Sequence, residues 1–194
     1  VDWKDRAARN VAYVVPLPGG QRRLKEAILY VCQKSEDMPR FGAIKLNKIL
    51  WRADFRSFYE RRIPVTGRQY QRLELGPAPV EMPPLIAEML RDNLLEIESR
   101  GAGQFMERRH KALSEPVLKF FSPDDLDYID ESIWHYWNMT GTESSDLSHG
   151  IAWKTRYNGD PMPYQSALFE DAPLPPEGLK HFAAMGERLG WRSA

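Results

Sequence analysis

The chain has 194 residues, of which 42% are hydrophobic and 28% charged, with 22 aromatics and 27 basic against 27 acidic side chains. This composition excludes wholesale disorder and suits one compact domain with an arm. No run approaches about 18 apolar residues, so no membrane-spanning helix is expected; the opening VDWKDRAARN lacks the apolar centre of a secretion signal, and a single cysteine, Cys32, makes neither an internal disulfide nor a cysteine-rich zinc site, so a soluble cytoplasmic protein is expected.

Residues 1–20 end in VVPLPGG and read as an arm with a short strand at Val11–Val15. Leu24, Ala27, Ile28, Val31 and Cys32 then recur at helical spacing, and that helix stops before Pro39. Cys32 falls on the apolar stripe, where a small buried hydrophobe is expected rather than a nucleophile. FGAIKLNKILWRADFRSFYERR is the longest helical pattern. Its apolar residues occupy more than one face, which predicts a central helix with neighbours on two sides. Lys45, Lys48, Arg52 and Arg56 share roughly one polar flank. Pro64 with Gly67, and then Gly76-Pro77-Ala78-Pro79, predict two turns. Val80 to Asn93 reads as a helix with Pro83 and Pro84 in its first turn.

LLEIES and QFMERRHKAL predict a hairpin around Gly101 and Gly103. Ser122-Pro123-Asp124-Asp125 is a strong helix start, followed by Leu126, Ile129, Ile133, Trp134 and Trp137 at helical spacing, with Gly141 as the stop. Ser144 or Ser145 is expected to cap a short helix carrying Leu147, Ile151, Ala152 and Trp153. Residues 158–178 hold five prolines and read as irregular; Leu179, Phe182, Ala183, Met185, Leu189 and Trp191 suggest a terminal helix. The fold class predicted is mainly α: a compact helical domain with a small β-hairpin element. Its organisation is an arm at 1–20, a domain at 21–157, and a tail with a helix at 158–194 packing on the same domain.

Charge is unevenly distributed. Residues 40–72 carry nine basic side chains and two acidic ones, a net of +7, whereas 113–178 carry a net of −9. Either the two segments attract each other within the fold or are simply solvated, or one is a docking face for a partner of opposite charge.

The four histidines, His110, His135, His149 and His181, form no HxH or HExxH pair, and no P-loop, GxGxxG or GxSxG motif is present. No catalytic residue, metal ligand or cofactor is assigned. Ser145, Asp146, Ser148 and His149 cluster too tightly in sequence for a hydrolytic triad, and helix capping accounts for them better. The basic segment and its aromatics (Trp51, Phe55, Phe58, Tyr59, Tyr70) leave a nucleic-acid-binding regulator as the alternative function.

KLNKILWRADF (45–55), IPVTG (63–67), Tyr70, GPAPVE (76–81) and SHGIAWK (148–154) occur in this order. The set resembles the Panacea domain of the SocA-like antitoxins, whose members look like KLxKLLYFADF, GxPITG, Y, GPVPxE and S-H-x-x-x-W-K. The resemblance departs at Trp51-Arg52. It implies a largely helical domain with no catalytic residue. It also implies an antitoxin of a bacterial or phage toxin–antitoxin module that neutralises a cognate toxin by direct binding, with delivery to the ClpXP protease as a variant seen in one member. The motif residues Leu46, Leu50, Asp54, Gly67, Gly76, His149 and Trp153 are expected to be structural, with His149 and Trp153 packed on each other. Candidate partner-binding residues are Lys45, Lys48, Arg52 and Arg56 on the polar flank, Pro77 and Pro79 on a rigid ledge, and Tyr164 and Phe169 as exposed anchors in the tail. Alongside these expectations, the prolines read equally as scaffold and the tail as a wrap around its own domain.

Overall fold

The structure, a computed structural model, describes residues 11–102 and 105–169, and residue 184 by itself. Helix α1 spans Arg22–Lys34 and α2 spans Ala43–Arg61. Two short strands follow, β1 (Tyr70–Gln71) and β2 (Ala78–Pro79), and then α3 (Met82–Arg91). The hairpin β3 (Leu95–Ala102) and β4 (Phe105–Ala112) pairs in register from Leu95↔Ala112 to Ala102↔Phe105. Helices α4 (Pro123–Tyr136), α5 (Gly141–Leu147) and α6 (Ile151–Lys154) precede β5 (Pro161–Met162) and a 3₁₀ segment, Tyr164–Phe169. The fold is mainly helical, with small antiparallel sheets. One is the hairpin; in the other, β1 lies between β2 and β5.

Helix α2 is the axis. It contacts α1, α4 and α5 as well as β2, β4 and the 3₁₀ segment. One side packs Leu46, Ile49, Leu50 and Ala53 against Leu24 and Ile28 of α1 and Ile129 and Ile133 of α4. The other side packs Trp51, Phe55 and Phe58 with Tyr70, Met162 and Tyr164. The two-sided apolar pattern of the sequence is therefore used on both sides.

Local signals set several boundaries. Ser122 accepts from the Asp125 amide at 3.2 Å while the Asp125 carboxylate accepts from the Ser122 amide at 2.9 Å, a full capping box at α4. Thr140 and Glu143 make a second such box at α5. Gly141 thus opens a helix instead of closing one, and Ser144 and Ser145 lie buried inside α5 and do not cap it. The sequence reading missed Thr140 because it took glycine as a stop signal. The expected strand at 11–15 does not form. That stretch is nonetheless tied down: the Val15 amide donates to the Gly67 carbonyl at 2.9 Å, and the Tyr164 amide to the Ala12 carbonyl at 2.8 Å. The expected helix over 179–191 lies outside the described residues, residue 184 excepted.

Buried cations hold the irregular connections. The Arg23 guanidinium donates to the Val65 carbonyl at 2.7 Å, to the Phe120 carbonyl and to Asp125 at 2.8 Å. Arg109 donates to the carbonyls of Ser35 (3.0 Å), Glu36 and Met38 (2.5 Å) beyond the end of α1. Such carbonyls, left over where regular structure stops, need donors when buried.

Candidate partner-binding surface

The inward polar side chains of α2 meet two loops. Asp54, fully buried, accepts from the Thr66 amide at 2.5 Å, the Thr66 hydroxyl, the Gly67 amide at 3.4 Å and the Tyr70 hydroxyl at 2.6 Å. Burial pushes its carboxyl above the usual carboxylate range, and the donors offset this only in part. Gly67 sits at φ +70°, and a Cβ there would run into the Val15 carbonyl oxygen of the arm. Three separate sequence motifs (ADF, PVTG and Tyr70) are thus one hydrogen-bonded unit.

One turn and a half earlier, Lys48 donates to the Pro77 carbonyl at 2.9 Å. Burial lowers its amine to about 7. Gly76, at φ +94°, lies against the Lys48 Nζ and the Ser148 hydroxyl, leaving no room for a Cβ. His149 stacks on Trp153 with ring centres 3.6 Å apart and planes 12° apart. Trp153 donates its indole N–H to the Leu73 carbonyl at 2.7 Å, and the Arg72 guanidinium lies 4.0 Å from its ring centre. Burial, then the nearby Lys48 charge, lowers the His149 imidazole. Lys45 donates to the carbonyls of Pro39 (2.7 Å) and Trp137 (3.1 Å), and burial brings its amine to about 8.

Outside this network runs a groove of about 250 Å³. The α2 stripe Trp51, Arg52, Phe55, Arg56 and Tyr59 forms one wall, facing His135, Tyr136, Leu147, Gly150 and Ala167. Its rim exposes apolar surface: Tyr59 is 39% exposed and Leu147 54%. Trp134, next in sequence to His135, is 71% exposed and leans on Trp137 with ring centres 5.3 Å apart.

Most of the partner-binding candidates lie in the interior. Lys45 and Lys48 are buried, which corrects the expected polar flank; only Arg52 and Arg56 of that set reach the surface. Pro77 and Pro79 are buried with β2, so the ledge is scaffold. Tyr164 is fully buried and donates to the Arg68 carbonyl at 2.6 Å; it anchors its own fold and is not an exposed tail aromatic. The side chain of Phe169 lies outside the described residues. The two charge-biased segments do attract each other: Arg52 faces Glu131, and Arg61 faces Asp124 and Asp125. Asp125 keeps its carboxyl below the usual range; desolvation opposes this, but Arg61, the Ser122 amide and Arg23 prevail. Trp134, which its spacing grouped with Ile129 and Ile133, is exposed and does not join them in the core.

The described residues form a mainly helical scaffold with a hydrogen-bonded interior and an aromatic, basic outer groove. Residues 46–154, more than half of the chain, match the family described as "Antitoxin SocA-like, Panacea domain", and the chain belongs to that family of non-catalytic antitoxin domains. Neither curated proteins nor solved structures gave a match. Among the described residues, no group of three or more His, Cys, Asp or Glu is placed to hold a metal ion, and no helix is long and apolar enough to cross a membrane.

Proposed function

We propose that the protein is the antitoxin of a toxin–antitoxin pair in the cytoplasm, and that it neutralises its cognate toxin by direct protein–protein contact. The family match over residues 46–154 carries this reading. The contact surface is the outer side of α2 with the adjoining end of α4, where Arg52, Arg56 and the 71%-exposed Trp134 lie. Large aromatics and arginines supply most of the energy at protein interfaces. The basic segment gives little support to the nucleic-acid alternative. Lys45 and Lys48 are buried, while Arg56, Arg61 and Arg68 face Glu60, Asp125 and Glu81.

The test is co-expression with the product of the neighbouring gene. The expected result is restored growth together with a stoichiometric complex. Copurification without rescue, or rescue without a complex, would overturn the reading. In a host lacking ClpX, persistence of rescue identifies simple occlusion, and its loss identifies delivery to the protease. Trp134→Ala should weaken the complex by about tenfold or more, as expected of an interfacial anchor, with thermal unfolding unchanged.

A further inference from the structure

The β3–β4 hairpin has one long edge with no strand beside it. Among the described residues, β3 pairs with β4 alone. The Leu113 amide donates to the Leu94 carbonyl at 2.9 Å, which fixes the phase of the ladder. Glu96, Glu98 and Arg100 therefore turn their backbone groups toward β4, while Leu95, Ile97, Ser99 and Gly101 turn theirs outward. Edges of this kind are commonly blunted by a bulge, a proline or a lysine. Strand β3, LEIESRGA, holds neither proline nor lysine, and its register runs through eight consecutive pairs without a bulge. Its outer part is open to solvent at Ser99, Arg100 and Gly101.

The charges along this edge are ordered. Across the hairpin, Glu96 stands opposite Lys111, Glu98 opposite Arg109 and Arg100 opposite Glu107. Along β3, Glu98 and Arg100 lie 3.1 Å apart, and their side chains are 37% and 45% exposed. A second β3 laid antiparallel on the outward groups must set odd-numbered residues against odd-numbered ones. Centred on Ile97, it would oppose Glu96 to Glu98. Centred on Glu98 or on Arg100, it would oppose that residue to its own copy. Centred on Ser99, it opposes each Glu98 to the Arg100 of the other copy, and no like charges face each other. One row of the joined sheet then reads Arg109, Glu98, and Arg100 and Glu107 of the second copy, alternating in sign throughout. The ion pairs within each chain are kept, and each gains a neighbour of opposite charge.

We propose that two copies of this chain associate through the β3 edge, antiparallel about a two-fold axis at Ser99, so that their hairpins form one four-stranded sheet. The occupant of the edge is a second copy because the register is self-complementary: one patch supplies both halves of every pair, as a two-fold interface requires. The contact is small and polar, so the dimer is weak and forms in a concentration-dependent way. It concerns this chain alone and does not depend on the antitoxin reading.

The test is sedimentation velocity of the purified chain over a concentration series. The expected result is a monomer–dimer equilibrium. Glu98→Arg and Arg100→Glu, each alone, should weaken the dimer about tenfold or more, because two opposed pairs become repulsive at once. An equimolar mixture of the two variants should restore it, since each copy then meets the opposite sign. Ser99→Pro removes the outward amide at the centre and spares the ladder to β4, so it should abolish the dimer with thermal unfolding unchanged; it decides the matter if a charge variant is unstable. A chain that stays monomeric at every concentration overturns the proposal. So does a dimer indifferent to all three substitutions, or a mixture that stays monomeric while both variants melt like the wild type. Loss of the dimer in Trp134→Ala alone also overturns it and moves the contact to α4. If the chain alone is monomeric and Ser99→Pro abolishes binding of the neighbouring gene's product, the edge receives a strand of that protein and the second-copy proposal fails.

Discussion

Polar groups of α2 meet two environments. On the inner side, Lys45, Lys48 and Asp54 are buried, and each has protein partners at ordinary hydrogen-bond distances. Toward the groove, on the outer side, Arg52 makes only long bonds among the described residues, to Ser132 and Glu131. Lys45, Lys48 and Arg52 share one flank of the helix, so the difference lies in which segments of the chain lie over each turn. Charged residues in this sequence are therefore poor guides to surface. The lysines expected to meet a partner fasten loops.

The strongest way to break this contrast is at Asp54. Asp54→Ala leaves the Thr66 and Gly67 amides and the Tyr70 hydroxyl without their buried acceptor, and should cost about 3–5 kcal/mol in urea unfolding. A loss below about 1 kcal/mol would mean that the arm and the PVTG loop are held by other contacts. Next comes Gly67→Ala, which forces a Cβ against the Val15 carbonyl at a positive φ. We expect about 2 kcal/mol or more, read by the same titration, with the arm becoming susceptible to limited proteolysis near residue 15.

The pH dependence of stability sharpens the inner side. Lys48 titrates at about 7 in the folded chain but near 10.4 when unfolded, so between these values the unfolded state holds more protons. Stability should then rise as pH increases from about 7 to 10, and Lys45, at about 8, adds in the same direction. Lys48→Met should flatten that slope; an unchanged slope in the variant would show that Lys48 does not supply it. Ser122→Ala removes one half of the α4 capping box and should cost about 1 kcal/mol. The smallest effect is expected on the outer side. Trp134→Ala should change stability by less than about 0.5 kcal/mol, since little of that side chain is buried.

Elements whose signals are local were readable in the sequence. The apolar period drew α1 and α2, Ser122-Pro123 opened α4, and the alternation around Gly101 drew the hairpin that pairs from Leu95 to Ala112. The ordered motifs were readable as a family resemblance, and the match over residues 46–154 agrees with it. The roles of individual charged residues were not readable. A lysine at helical spacing looks the same whether its amine meets water or the carbonyl of Pro77, 29 positions away. Tyr164 gave no sign in its proline-rich context that it would pack on Phe55 and Phe58, more than 100 positions earlier.

The sequence by itself determined the longer helices, the hairpin, the turns at Gly67 and Gly76 and the family, because capping, periodicity and backbone freedom act over a few residues. Only the tertiary structure decided which polar groups are interior fasteners and which stay at the surface. Burial and hydrogen-bond satisfaction depend on what distant segments bring to each side chain, and spacing along the chain does not record that.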